Sequence, residues 1–296
     1  MEKRQIQVDQ ELNAIVEYDV AFRFILSRDD LKEYNKGFVN WHKQPSIEIS
    51  VVCEGAVNVY VLEHEQTVRA GDGFFVMPGY LHSIQPAPGY DTACYFTLIF
   101  YPEILYGQQG NYFDIAYYQP IADSGVPFFT FSSSDAWTKE VFDQLQWVAD
   151  HHPDESPVFR LKTQRILQDV WIAFAHNLPL CSTPKASPRH TRKTLDLIGY
   201  LHEHHQEKFS LQAVADAASL SRSECCRYFK QMMHMTITEY LLEYRLTKAI
   251  ALLENSGLRV TEIAEQTGFC DVSYFIKMFR RRTGLTPRVY AQRHRR

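Results

Sequence analysis

Between residues 18 and 100 the apolar positions come in short runs: FRFIL, IEISVV, VNVYVL, FFVMP and ACYFTLIF. Turn residues close them, at Gly55, Gly71-Asp72-Gly73, Pro78-Gly79 and the stretch from Pro86 to Gly89. Short, closely spaced runs rich in β-branched and aromatic residues predict the strands of a sandwich or small barrel. Residues 101–133 are aromatic but follow neither the strand nor the helix period, and no element order is predicted for them. From Ser134 the period becomes helical. Trp137, Val141, Leu145 and Val148 fall on one face, and beyond a Pro-containing break Ile166, Val170 and Phe174 fall on another, widened by Leu167 and Trp171. Stripes this broad predict a partner, either the barrel or a second subunit. NLPLCSTPKASPRH (177–190) has three prolines and no period, which marks a linker.

From Thr191 the pattern is helical nearly to the end, and it repeats. FKQMMHMTITEY (229–240) aligns without gaps on FRRRTGLTPRVY (279–290), and VADAASLS (214–221) echoes IAEQTGFC (263–270). Each copy reads as helix–turn–helix. In the first, Ala215 permits a close crossing, the chain turns at Ser219-Leu220 and Ser221 caps the next helix. In the second, Gly268 supplies a left-handed turn, Phe269 plugs the space between helices and Asp271 is the N-cap. Spacing assigns Cys225, Phe229, Phe275 and Phe279 to the core, with His234 standing where the second copy has Gly284. It leaves outward Arg222, Ser223, Cys226 and Arg227 in one copy and Val272, Ser273, Ile276 and Lys277 in the other, with Arg280 and Arg281 beyond. One helix, Thr238–Glu254, joins the copies.

Charge sharpens this picture. The chain of 296 residues carries a net charge of −4, but from His190 onward 17 Lys and Arg stand against 11 Asp and Glu. The remaining residues hold 14 and 24, so a basic C-terminal part follows an acidic N-terminal one. A helix fits the major groove with its N-terminal residues at base edges and nearby cations at phosphate, so the repeated unit is expected to bind DNA. The six cysteines show no metal spacing and are expected to be reduced core thiols. No apolar run has the length of a membrane span and the N-terminus lacks the apolar region of a secretory signal, so a cytoplasmic protein is expected. There is no Walker loop, GxSxG elbow or Rossmann glycine pattern.

Residues 191–296 resemble the DNA-binding domain of the AraC/XylS family of bacterial transcription regulators. The resemblance rests on Ala264, Gly268, Phe269, Phe275, Phe279, Gly284, Thr286, Pro287 and Tyr290, and on Tyr240, Leu241, Arg245 and Ala249 in the joining helix. It implies two recognition helices entering successive major grooves of promoter DNA, contact with RNA polymerase, a homodimer, and a nucleoid-associated protein that is not an enzyme. The N-terminal half resembles the cupin-like sensory domain of such regulators through His42, Glu48, Gly55, Gly71-Asp72-Gly73, Pro78 and His82. What that implies is a small-molecule effector, a sugar or an organic acid, held in the barrel near His42, Glu48 and His82. Arg23, Tyr60, Tyr95 and Thr97 are further polar groups on barrel strands, with the face each occupies left open. The metal-binding pattern has two His in its first motif where Trp41-His42-Lys43 offers one, so no metal and no cofactor is expected. Ligand contact and a satisfied buried network remain alternative readings of the same residues.

The expected architecture is therefore α+β. An N-terminal barrel with an arm occupies 1–133, a helical dimerisation segment 134–178 and a linker 179–190. An all-α domain fills 191–296, with helix–turn–helix units at about 210–231 and 260–282 joined by a long helix.

Overall fold

A computed structural model of the protein describes residues 6–9, 12–18, 22–34, 37–152, 156–177 and 188–294, without the side chains of 188–192 and 294. The chain divides into two compact units, Met1–Pro188 and Arg189–Arg296. Most of the expected linker lies outside the described residues.

The first unit is built on β3 (Ile47–Val61), a strand long enough to serve two sheets. Its first half pairs with β7 (Ala93–Phe100) and β5 (Gly73–Val76); β1 (Phe24–Asp30) continues beyond β7, and β8 (Phe128–Phe131) beyond β5. Its second half pairs with β4 (His64–Arg69) and β6 (His82–Pro86), and β2 (Val39–His42) pairs with β6. An irregularity between Val52 and Glu54 lets one strand turn from one sheet to the other. The space between the sheets is filled mainly by small branched and aromatic side chains, among them Val52, Val57, Val59, Val61, Phe74, Val76, Ile84, Tyr95 and Phe128.

The other face of the β1–β7–β3–β5–β8 sheet carries Ile47, Ile49, Phe75, Phe96, Leu98, Phe129 and Phe131, and helices cover it. These are α3 (Thr138–His151) and α4 (Pro157–Asn177), introduced by the short helices α1 (Glu103–Tyr106) and α2 (Gln119–Ala122) and a π-helix at Asp114–Tyr118. Val141, Leu145, Val148, Ile166, Val170 and Phe174 all enter this core, with Phe174 edge-on to Phe129 at 4.8 Å. The broad stripes of 134–178 thus cover the barrel of their own chain. Of the two partners the pattern allowed, the buried residues of these stripes meet the barrel.

The second unit contains α5 (Pro188–Glu203), α6 (Leu211–Ala217), α7 (Arg222–Met233), α8 (Ile237–Asn255), α9 (Val260–Gln266), α10 (Val272–Thr283) and α11 (Pro287–His294). Capping sets the starts. Ser221 with Glu224 and Thr236 with Glu239 form capping boxes, and Asp271 accepts from the Ser273 and Tyr274 amides at 2.6 and 3.2 Å. Cys225 and Phe229 are buried in one copy, Phe275 and Phe279 in the other. Both copies end their second helix in a left-handed residue, Gly284 at φ +75° and His234 at φ 51°. The cysteine expectation needs correction: Cys225 is buried, whereas Cys53, Cys226 and Cys270 are exposed.

Candidate nucleic-acid interface and barrel site

The two helix–turn–helix units present their outer faces in the same register. On α7, Arg222, Ser223, Cys226, Arg227 and Lys230 are exposed while Cys225 and Phe229 point into the unit. On α10, Ser273, Ile276, Lys277, Arg280 and Arg281 are exposed, and Val272 is half-buried against the core of the second copy. Tyr274, not singled out from the sequence, is 49% exposed on the same face. Its position is the equivalent of Glu224, whose carboxylate is engaged by Ser221 in the cap of α7.

The basic triplet at the end of α10 splits. Arg280 and Arg281 point to solvent, whereas the Arg282 side chain is 3% exposed. Its guanidinium donates to the Glu243 carbonyl at 3.1 Å and to Thr247 Oγ1 at 3.0 Å, and the Glu243 carboxylate stands 3.6 Å away. Arg282 therefore fastens α10 to α8. Arg245 does similar work, donating to the carbonyls of His205 and Glu207, each at 2.7 Å.

In the first unit, strand alternation decides which candidates look inward. Ile47, Ile49 and Val51 pack toward the helices, so Glu48 and Ser50 face the space between the sheets, as Thr97 does opposite. His42, Glu48 and His82 are all buried and meet: their ligating atoms lie within 4.8 Å of one another. His82 Nε2 is 3.1 Å from Glu48 Oε2, and the two imidazole centres are 4.1 Å apart. Gln44 Nε2 donates to Glu48 Oε2 at 3.2 Å, Ser50 Oγ donates to Glu48 Oε1 at 3.3 Å, and Ser50 Oγ is 2.7 Å from Thr97 Oγ1. Each ring also has Nδ1 at 2.9 Å from a backbone carbonyl, Asn40 for His42 and Tyr80 for His82.

Burial, and then the neighbouring His82, depress the basicity of His42 to a pKa of about 3, so this ring is neutral. Burial alone would push the Glu48 carboxyl up. The rings of His82 and His42 and the Ser50 hydroxyl outweigh that and hold it below the ordinary carboxylate value.

Three other candidates fall elsewhere. Arg23 is exposed, its guanidinium 4.7 Å above the Tyr101 ring, and does not line the interior. Tyr60 shares its face of β3 with Asn58, opposite Val57, Val59 and Val61, and its hydroxyl donates to Glu65 at 3.1 Å. Tyr95 does point inward but sits among apolar side chains, its ring 6.3 Å from Phe74. Gln44 and Ser50 were missed from the sequence. The period-two placement of Glu48, Ser50 and Val52 was the signal for Ser50.

A two-sheet barrel with a buried polar centre, in one chain with two capped helix–turn–helix units, defines a ligand-binding transcription regulator. The comparisons agree. Residues 30–156 match the family model of an AraC-like ligand binding domain, and residues 214–293 match that of a helix-turn-helix domain. The chain is 26% identical over 285 residues to the uncharacterized HTH-type transcriptional regulator YdeC of Bacillus subtilis, spanning 96% of this chain and 97% of that one. It is 27% identical over 259 residues to the HTH-type transcriptional activator RhaR of Cronobacter sakazakii, spanning 85% and 86%. Among solved structures, ToxT of Vibrio cholerae aligns with 93% of this chain and 99% of its own, at 11% identity and a TM-score of 0.41. The C-terminal domain of the response regulator yesN of Fusobacterium nucleatum aligns with 32% and 93%, at 33% identity and a TM-score of 0.31. Residues 30–156 and 214–293 thus carry the two parts of an AraC-type regulator, and the protein is a transcription regulator. Among the described residues no helix is long and apolar enough to cross a membrane.

Proposed function

We propose that this regulator reads promoter DNA with α7 and α10 in successive major grooves, and that a small metabolite in the barrel controls the reading. The observation that carries the first part is the shared register of the two helices. Each buries its fourth and eighth residues, Cys225 and Phe229 or Phe275 and Phe279, and exposes the residues between them that a groove would meet. Arg222, Arg227 and Lys277 are the side chains with reach and charge for base edges or flanking phosphates, with Ser223, Ser273 and Cys226 beside them. Ile276 and the exposed part of Val272 suit thymine methyl groups, and Arg280 and Arg281 suit phosphate. The experiment is footprinting of the full chain on its own upstream region, wild type against Arg227→Ala. Loss of sequence preference supports the assignment, and an unchanged footprint refutes it.

The effector reading, a sugar or an organic acid, rests on the buried polar centre around Glu48. The N-terminal arm is the candidate moving part, because its backbone is held by the residue after His42. Ala14 donates to the Lys43 carbonyl at 2.8 Å and Lys43 donates to the Leu12 carbonyl at 2.9 Å. A homodimer remains part of the proposal on different residues from those first expected: Val158, Leu161 and Ile172 of α4 and the contacting rings of Tyr112, Phe113 and Tyr117 are exposed. Contact with RNA polymerase and a place on the nucleoid follow from the regulatory role.

A further inference from the structure

The polar centre of the barrel has a chemistry that a hydrogen-bonded network alone does not account for. Each of the two imidazoles has its Nδ1 against a carbonyl oxygen, and only an N–H satisfies that contact. The Nδ1–H tautomer leaves Nε2 as a lone pair. In His82 that lone pair faces Glu48 Oε2 at 3.1 Å, an acceptor against an acceptor, with both residues buried. Something positive has to lie between them. A proton between them would join that pair alone, while the ring of His42 stands 4.1 Å, centre to centre, from that of His82. A cation shared by all three groups satisfies every lone pair at once.

We propose that His42, Glu48 and His82 bind a divalent first-row transition-metal ion inside the barrel. The donor set is two neutral imidazoles and a carboxylate, which suits iron, cobalt, nickel or zinc over calcium or magnesium. The separation of His82 Nε2 and Glu48 Oε2, 3.1 Å, is close to that of two donors bonded at right angles to one ion at about 2.1 Å. The three ligating atoms lie within 4.8 Å of one another, so closing on an ion needs only a small inward movement of the farthest donor. The backbone carbonyls of Asn40 and Tyr80 orient the rings as outer-sphere partners do in metal sites. Gln44 and Ser50 hold the carboxylate from the other side. The three ligands come from three strands, His42 from β2, Glu48 from β3 and His82 from β6. Three protein donors leave at least one coordination position open, where a carboxylate or hydroxyl of a metabolite binds. Only this last consequence rests on the effector reading; the metal site stands on the barrel alone.

The test uses the full chain, stripped with a chelator and titrated with Co2+ in the absence of DNA. Visible absorption and metal content after gel filtration are the readouts. One Co2+ per chain, with nitrogen and oxygen ligation and no thiolate charge-transfer band, is expected. Glu48→Gln and His42→Asn should each weaken binding by at least about 100-fold. The four tryptophans all lie in the barrel unit, at 41, 137, 147 and 171, so a cooperative fluorescence transition verifies that each variant is folded. Should Glu48→Gln fail to fold, His42→Asn carries the test. Absence of stoichiometric binding by the stripped wild type would overturn the proposal. So would binding of undiminished affinity in folded His42→Asn, which would put the ion elsewhere. A failure to find operator DNA would count only against the DNA reading.

Discussion

Gly268 and Gly284 offer a controlled comparison, because both are left-handed but only one is crowded. Gly268 has φ +80°, and a Cβ placed on it would stand 2.2 Å from the His205 carbonyl oxygen and 2.9 Å from Nε and Nη2 of Arg245. Gly284 has φ +75° and nothing within 4 Å of the same point. Alanine at either position carries the left-handed penalty of about 1–2 kcal/mol. At Gly268 the His205 carbonyl must also retreat by about 1 Å to reach van der Waals distance. That carbonyl receives Arg245 Nε at 2.7 Å, and the same guanidinium holds the Glu207 carbonyl, so the retreat breaks or stretches charged hydrogen bonds. Loss of one is worth about 1.5–3 kcal/mol. The expected cost is therefore about 3–5 kcal/mol for Gly268→Ala and about 1–2 for Gly284→Ala. The helical unit has no tryptophan, so fluorescence follows the barrel unit, and the part of the far-UV circular dichroism transition that fluorescence does not share follows the helical unit. With a urea slope of about 1.5 kcal/mol per molar, the dichroism midpoint should fall by about 2–3 M for Gly268→Ala and about 1 M for Gly284→Ala. The fluorescence midpoint should not move in either. Equal dichroism midpoints for the two variants would refute the steric argument. His234 is consistent with the milder half of it, since it occupies the position equivalent to Gly284 at φ 51°.

The other expectations separate roles that neighbouring residues share in sequence. Arg282→Ala should destabilise the helical unit by about 1–3 kcal/mol, because the Glu243 carbonyl and Thr247 lose the guanidinium that fastens α10 to α8. Arg280→Ala should change stability by less than about 0.5 kcal/mol and instead lower the salt dependence of DNA binding by about one phosphate contact. Calorimetry and binding at several salt concentrations check the pair. Arg227→Ala should cost specific DNA binding about 1–3 kcal/mol and relax preference within one half-element, read by selection from a randomised site. Acidification should weaken the barrel unit. His42 stays neutral in the fold down to a pKa of about 3 but takes up a proton near 6.5 when unfolded, so stability is full above about 6.5 and falls as the pH drops. At about 1.4 kcal/mol per pH unit, roughly 2 kcal/mol disappears between pH 6.5 and 5. Glu48, held below its ordinary value, acts in the same direction in a lower window. Fluorescence-monitored unfolding of His42→Asn should lack the upper window, and a variant as acid-sensitive as wild type would refute the assignment. Leu161→Glu should shift the full chain toward monomer in sedimentation if the exposed α4 residues form the dimer contact.

The helical unit was legible in the sequence because its constraints are local. A cap lies beside its helix, a left-handed turn needs its own glycine, and a buried residue recurs every third or fourth position. Ser221, Asp271, Gly268, Cys225 and Phe279 could all be placed this way. Arg282 could not, because its neighbours Glu243 and Thr247 lie on another helix and nothing in the triplet separates it from Arg280 and Arg281. In the barrel the difficulty is parity. A strand slip of one residue reverses every side chain, so Tyr60 and Glu48, both on β3, could not be told apart as outward and inward. The irregularity at Val52 and Glu54 makes this worse, since the face that looks inward is reset partway along the strand. Arg23 was misplaced for a simpler reason: it lies just before β1 and stacks on Tyr101 instead of following the strand's alternation. The covering of the barrel by α3 and α4 was one of two outcomes the stripes permitted, and only the long-range contact of Phe174 with Phe129 and Phe131 decides between them.

On the proposed reading, the route from the barrel to DNA must begin at a group that is both near the ligand and tied to something movable. His42 meets both conditions. Its ring belongs to the polar centre, while the next residue, Lys43, uses its backbone N–H and carbonyl to hold the arm at Leu12 and Ala14. A ligand or ion that draws the His42 ring toward Glu48 by a few tenths of an ångström is therefore acting on the strand to which the arm is bonded. Leu12 is buried and left-handed, at φ 63°, so the arm is held in a conformation that its own backbone disfavours. The size of the effect is bounded by linkage: a coupling of about 1–3 kcal/mol changes DNA affinity by about 5- to 150-fold, and operator DNA must change effector affinity by the same factor. An effector whose affinity is identical with and without operator would leave His42 and the arm as structure only.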